Sequence, residues 1–137
     1  MSVTSIRRFP WFTFALLLLG ACGLAAAWIS LAAISGAPCA WMAPLAALDA
    51  AWLLRLARVA PGNGRMLAGV AATAASIALA HWGIAAAEVA VAMGLGFLDS
   101  ALRLGPDLAW TMIDLANGPV EFAWTAAGLL LALVASR

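Results

Sequence analysis

Long apolar segments alternate along the chain with short breaks that contain glycine, proline or arginine. The apolar segments cover residues 11–34, 40–58, 66–84 and 120–136. A helix needs about 20 such residues to cross the hydrocarbon core of a bilayer, and each segment is close to that length. Proline and glycine break the helix between the first two segments and again between the second and third. The pattern predicts an all-α fold: one polytopic membrane domain over residues 1–137, with about four transmembrane helices in a bundle.

The stretch between the third and fourth segments, residues 85–117, has a different pattern. At helical spacing, Glu88, Asp99 and Arg103 share one face, and leucines and valine occupy another. This pattern predicts an interfacial amphipathic helical segment before the last span. The alternative is a fifth span over residues 84–104, entered by a tight turn at Gly83.

Arginine marks the cytoplasmic side of the short loops of membrane proteins. Six of the seven basic residues lie at ends of the predicted spans that face the same side of the membrane. They are Arg7, Arg8, Arg55, Arg58, Arg65 and Arg137. Four spans with both termini in the cytoplasm satisfy this distribution, and the acidic stretch around Arg103 then lies outside. Every basic residue is arginine and alanine is abundant, which is typical of a GC-rich bacterial genome. We therefore expect a bacterial inner-membrane protein.

Composition supports a membrane location. The chain is 66% hydrophobic and 9% charged, with a mean hydropathy of +1.06. A water-soluble domain of this size has too small a core to bury so much apolar surface. The expected surroundings are the lipid bilayer, and a net charge of +1 gives no field that would attract nucleic acid.

The N-terminal region also resembles a lipoprotein signal. Arg7-Arg8 and an apolar run precede Leu19-Gly20-Ala21-Cys22, and such a signal would be cleaved before a lipid-modified Cys22. The apolar run continues to Ile34, whereas a processed lipoprotein normally continues into a polar tether. We therefore expect the first span to be retained.

Asp49 is the main candidate for an intramembrane polar site. It lies near the middle of the second span. Inserting a charged carboxylate at that depth costs about 2.5–3.5 kcal/mol, and such a group usually faces a partner or a pathway. Thr73 and Ser76 share one face of the third span at similar depth, so we expect one of their hydroxyls to donate to Asp49. The group is then either a proton-carrying carboxylate or a helix-packing contact, including an ion pair with Arg55.

The other candidates have weaker patterns. Glu88, Asp99 and Arg103 form an outer polar stripe that either lines a vestibule, docks a partner or simply faces water. His81 is the only histidine and has no second ligand at a suitable spacing, so no metal site and no cofactor is predicted. We expect Gly118 to cap the last helix, with Glu121 as its third residue.

Small residues in the first span predict close helix approach. Gly20, Gly23 and Ala27 recur at helical spacing and are expected to form one packing surface. Surfaces of this kind occur in any packed bundle, so they indicate packing rather than a particular activity.

The sequence contains no nucleophile elbow, phosphate loop, zinc-binding helix or redox Cys-x-x-Cys pair. No catalytic residue is predicted, and we expect a protein that is not an enzyme. The leading hypothesis is a non-catalytic accessory or assembly subunit whose partner is another membrane protein or a second copy of itself. The alternative is a small proton-coupled transporter or channel that acts as a homo-oligomer through Asp49.

Overall fold

A computed structural model describes residues 10–37, 39–59 and 61–137. All regular structure in these ranges is helical, which confirms the all-α prediction. The helices are α1 (Pro10–Ser35), α2 (Met42–Leu56), α3 (Asn63–Met93), α4 (Phe97–Arg103), α5 (Pro106–Ala116) and α6 (Pro119–Ala135). The four predicted apolar segments thus correspond to α1, α2, α3 and α6.

The four long helices differ in their ability to cross a membrane. α1 and α3 are long and apolar enough to do so. α2 has 15 residues and α6 has 17, so they extend only about 22 and 26 Å, against a hydrocarbon core of about 30 Å. The structure therefore provides two helices that fit a full crossing and two shorter helices packed against them.

The contacts fix the directions of α2, α3 and α6. Leu54 of α2 and Ser136 at the end of α6 both lie beside Gly69 in the first turns of α3. Further along, Ala43 of α2 lies against Gly128 of α6. α2 and α6 therefore run parallel to each other, and both run antiparallel to α3, which contacts every other helix.

α1 completes the bundle along α2 and α3. Gly20 faces Leu53 near the end of α2, whereas Trp28 and Ile29 face α3 at His81 and Gly83. α1 thus runs parallel to α3. The four helices alternate in direction along the chain, which is the arrangement that successive membrane crossings require.

The interior is built from small side chains. Most buried apolar residues are alanine, and Trp28 and Leu54 are the only large apolar side chains in the described ranges that are almost completely buried. Large apolar side chains instead point outward, for example Trp52 of α2, which is 62% exposed. Close backbone packing inside and apolar side chains outside is the pattern expected of helices that associate in lipid.

Helix α3 extends beyond the boundary predicted for the third span. It continues from residue 84 to Met93 and ends where Gly94 adopts a left-handed conformation with φ of 66°. Gly83 is buried inside this helix, so the turn required by the five-span alternative does not form. Half of the residues from 84 to 93 are alanine and none is proline, so nothing interrupts the helix before Gly94.

Helices α4 and α5 fold back onto the last third of α3; we call them the collar. The Ser100 hydroxyl donates to the Ala86 carbonyl oxygen at 2.7 Å, and Trp82 Nε1 donates to the Ala101 carbonyl oxygen at 3.2 Å. α5 then meets α6 at an angle of 107°. The collar therefore runs across the bundle near one end rather than forming a further straight helix along it.

Candidate functional site

The hydrogen bond predicted from Thr73 or Ser76 to Asp49 is absent. Thr73 Oγ1 donates to the Gly69 carbonyl oxygen at 2.8 Å, and Ser76 Oγ donates to the Ala72 carbonyl oxygen at 3.0 Å. Hydroxyls in helices often bond in this way to the carbonyl four residues earlier. Both predicted partners are buried inside α3, and their hydroxyl hydrogens are used there.

Asp49 instead faces the contact between α1 and α2. Its side chain is half-buried, and a methyl group on Gly20 would lie 3.4 Å from Asp49 Oδ2. Within the ranges that the structure describes, no side chain donates a hydrogen bond to this carboxylate, and no ion pair links it to Arg55. Asp49 thus remains an acceptor without a donor from the described part of its own chain.

The outer polar stripe is divided between two helices. Glu88 lies in α3, whereas Asp99 and Arg103 lie in α4. The prediction that they share one helix is wrong, because Gly94 ends α3 between them. All three are exposed, and among the described residues Asp99 and Arg103 form no ion pair. The stripe as a single polar face does not exist in this fold.

His81 has a defined orientation between α1 and α3. Its Nδ1 donates to the Ile77 carbonyl oxygen at 2.8 Å, and its ring makes an edge-to-face contact with Trp28 at 5.5 Å. Because a carbonyl oxygen only accepts, Nδ1 must carry the hydrogen. In the neutral ring Nε2 is therefore left with its lone pair available.

A small cavity brings His81 together with two other polar side chains; we call it the acceptor pocket. His81 and Glu88 of α3 line it together with Asn117, the residue that follows α5. Asn117 is 6% exposed, its Nδ2 donates to the Ile113 carbonyl oxygen at 2.8 Å, and its Oδ1 has no partner among the described residues. Three polar side chains therefore line the pocket, and the Oδ1 atom of Asn117 is an acceptor without a partner among the described residues.

Sequence reasoning did not find this pocket. His81 and Glu88 are seven residues apart on α3, two helical turns along one face, so their proximity was open to prediction. Asn117 reaches them only because the collar turns back onto α3. Its one sequence signal is an amide side chain in a largely apolar segment.

Two wider grooves adjoin the acceptor pocket. One, of about 470 Å³, lies between α3, α5 and α6 and includes His81, Trp82, Trp110 and Phe122 in its walls. The other, of about 530 Å³, lies between α1 and α3 and reaches Glu88. Both are mainly apolar and open, and lipid chains fit such surfaces in a membrane.

The described ranges offer little support for a metal site or a reactive thiol. They contain no group of three or more histidine, cysteine, aspartate or glutamate side chains placed to hold a metal ion. Cys22 is exposed and Cys39 is buried, both as free thiols. Cys39 Sγ lies 3.2 Å from Ser35 Oγ, and neither residue contacts the acceptor pocket.

The described helices define an all-helical protein in which two helices are long and apolar enough to cross a membrane. Comparisons with protein-family models, curated proteins and solved structures give no match.

Proposed function

We propose that this protein is a non-catalytic accessory or assembly subunit of a complex in the bacterial inner membrane. In this proposal α1, α2, α3 and α6 cross the membrane and both termini are cytoplasmic. The observation that carries the proposal is Asp49, a half-buried carboxylate that receives no hydrogen bond from the described residues.

The surroundings of Asp49 explain why a partner is needed. Leu45, Leu48 and Trp52, on the neighbouring positions of α2, are exposed, so the carboxylate lies at the edge of an apolar outward face. Lipid chains offer no hydrogen-bond donor, and an unpaired polar group in hydrocarbon costs several kcal/mol, about 2.5–3.5 for Asp on insertion scales. A helix of a neighbouring subunit with a hydroxyl, amide or basic side chain would supply the donor.

The lengths of α2 and α6 support the same conclusion. The two short helices lie side by side, and neither extends over the full hydrocarbon thickness. A helix shorter than the bilayer core is accommodated by local thinning, by flanking side chains or by association with other helices. A partner on the α2–α6 side would cover both helix ends.

The absence of a hydrogen-bond donor to Asp49 among the described residues also supports one alternative function, a proton-coupled transporter or channel. A carboxylate that the described residues leave without a donor is available to bind and release a proton, as a proton-coupled transporter or channel acting as a homo-oligomer requires. The two proposals differ in what Asp49 must do. A packing contact needs an acceptor, whereas proton coupling needs a group that ionises.

The mass of the intact particle, extracted from native membranes in mild detergent, distinguishes these proposals. For the accessory subunit we expect a heteromeric particle that survives Asp49→Asn, which keeps an acceptor oxygen, and is lost in Asp49→Leu. Asp107→Leu, at an exposed position on α5, is the control and should leave the particle intact. A particle that contains only copies of this chain would overturn the accessory proposal. Loss of proton flux in Asp49→Asn proteoliposomes would then favour the transporter.

A further inference from the structure

We propose that the acceptor pocket formed by His81, Glu88 and Asn117 binds a small monovalent cation. This site is separate from Asp49 and does not depend on the accessory role proposed above.

The hydrogen bonds of the lining side chains leave acceptor atoms of Asn117 and His81 unused. Asn117 uses Nδ2 to donate to the Ile113 carbonyl oxygen, and rotating the amide by half a turn would place oxygen against oxygen. Its Oδ1 is more than nine-tenths buried and unpartnered within the described residues. His81 uses Nδ1 in the same way, toward Ile77. A carboxylate at Glu88 can only accept, so a species that brings positive charge would satisfy these acceptors.

The size of the pocket limits the ligand to a single centre. The cavity has a volume of about 10 Å³, which corresponds to roughly one water molecule. Sodium, potassium and ammonium ions fit this space, whereas an organic cation or a fully hydrated ion does not.

The single acidic side chain of the pocket suits a ligand that carries one positive charge. Glu88 is the one acidic residue in the lining, and Asn117 and His81 are its other polar side chains. Calcium takes 6–8 oxygen ligands, often several carboxylates, and magnesium requires a near-octahedral oxygen shell, so this set suits neither ion. Glu88 is exposed and also borders the groove between α1 and α3, which gives the ion a route into the pocket.

Cation binding would stabilise the collar. Glu88 and His81 belong to α3, whereas Asn117 lies at the junction between α5 and α6. A bound ion would join these elements through three contacts. A water molecule could occupy the same space, but its effect would not depend on which salt is present.

The test measures thermal unfolding of the purified full-length protein in lipid nanodiscs. Sodium, potassium or ammonium chloride is titrated against choline chloride at constant ionic strength, since choline is too large for the pocket. We expect at least one of the three small cations to raise the unfolding temperature in a saturable way. Glu88→Gln and Asn117→Ala should raise the half-saturating concentration by about tenfold or more, since each loses a ligand to the charged species.

Asp107→Asn is the matched control, because it removes an exposed carboxylate of the collar that does not line the pocket. It should keep the wild-type cation dependence. Equal unfolding temperatures in all four salts would show that water alone fills the pocket and would overturn the proposal. An unchanged cation dependence in Glu88→Gln and Asn117→Ala would also overturn it. Should Asn117→Ala fail to fold, Glu88→Gln at its exposed position provides the same comparison.

Discussion

Gly128 of α6 lies directly against the backbone of Ala43 in α2. A methyl group at position 128 would be 2.7 Å from the carbonyl carbon and 2.9 Å from the carbonyl oxygen of Ala43. Backbone atoms cannot rotate away as the end of a side chain can, so the two helices depend on a glycine at this point. The contact joins the two helices that are too short to match the bilayer core separately.

We expect Gly128→Ala to destabilise the bundle by about 1–3 kcal/mol, the usual effect of overpacking a tight interior. The measurement is the thermal unfolding of detergent-solubilised protein, followed by circular dichroism or by retention of the monodisperse peak in size-exclusion chromatography. α2 and α6 must move apart to admit the methyl group, so the unfolding temperature should fall.

Gly23→Ala provides the matched control, because a methyl group there would meet nothing within 4 Å. The same chemical change in the middle of α1 should be neutral, or stabilising by up to about 1 kcal/mol through helix propensity. Equal losses of stability in the two variants would show that the contact with Ala43 does not limit the approach of α2 and α6.

The small residues of α1 show which helix contacts a sequence pattern can predict and which it cannot. Of the predicted surface, Gly20 does pack closely against Leu53 of α2. Gly23 and Ala27 are exposed. Helical spacing identifies residues that share a face, but a continuous row of small residues does not reveal where along that row the neighbouring helix crosses.

Local signals predicted the helix ends better than long-range patterns predicted contacts. The Gly118 cap and the helix that begins at Pro119 are confirmed, because capping depends on a few adjacent residues. The partners of Asp49 were predicted wrongly, since Thr73 and Ser76 bond within their own helix. The acceptor pocket was not predicted because it depends on how the collar folds back, which the spacing of residues within one helix does not determine.

Replacing Ser100 tests how the collar is attached to α3. Ser100→Ala removes the 2.7 Å hydrogen bond to the Ala86 carbonyl oxygen, which is buried. We expect a loss of about 0.5–1.5 kcal/mol and faster hydrogen–deuterium exchange of the α4 amides. Exchange measured by mass spectrometry over residues 94–105 gives the readout, and α1 and α2 should keep their wild-type rates.

Thr111→Ala is the control for Ser100→Ala. The Thr111 hydroxyl also donates to a carbonyl oxygen, that of Asp107 at 2.9 Å, but within α5 and at an exposed position. Its removal should leave exchange in α4 unchanged. Similar exchange in α4 of both variants would mean that Ser100 does not anchor the collar to α3.

Replacing Glu121 tests whether the cap at the start of α6 contributes to stability. Its Oε2 accepts a hydrogen bond from the Gly118 backbone N–H at 2.8 Å, and its charge lies in the first turn, where the helix dipole favours a carboxylate. We expect Glu121→Ala to cost about 0.5–2 kcal/mol in thermal unfolding, as the loss of a cap does. Glu121→Gln keeps an acceptor and should recover part of the loss. If both variants unfold at the wild-type temperature, the cap does not contribute to stability.

The four-span topology predicts which positions a membrane-impermeant maleimide can reach. In a background without native thiols (Cys22→Ala, Cys39→Ser), single cysteines replace Asn63, Asp107 and Arg137, which are exposed. Spheroplasts carrying Asp107→Cys should be labelled while intact, because the proposed topology puts the collar outside. Asn63→Cys and Arg137→Cys should be labelled only after permeabilisation, because the same topology puts the start of α3 and the end of α6 in the cytoplasm. These two ends lie together, since Arg65 Nε donates to the Ser136 carbonyl oxygen at 2.9 Å. Labelling of Arg137→Cys in intact spheroplasts would place the end of α6 outside, and the proposed topology would have to be abandoned.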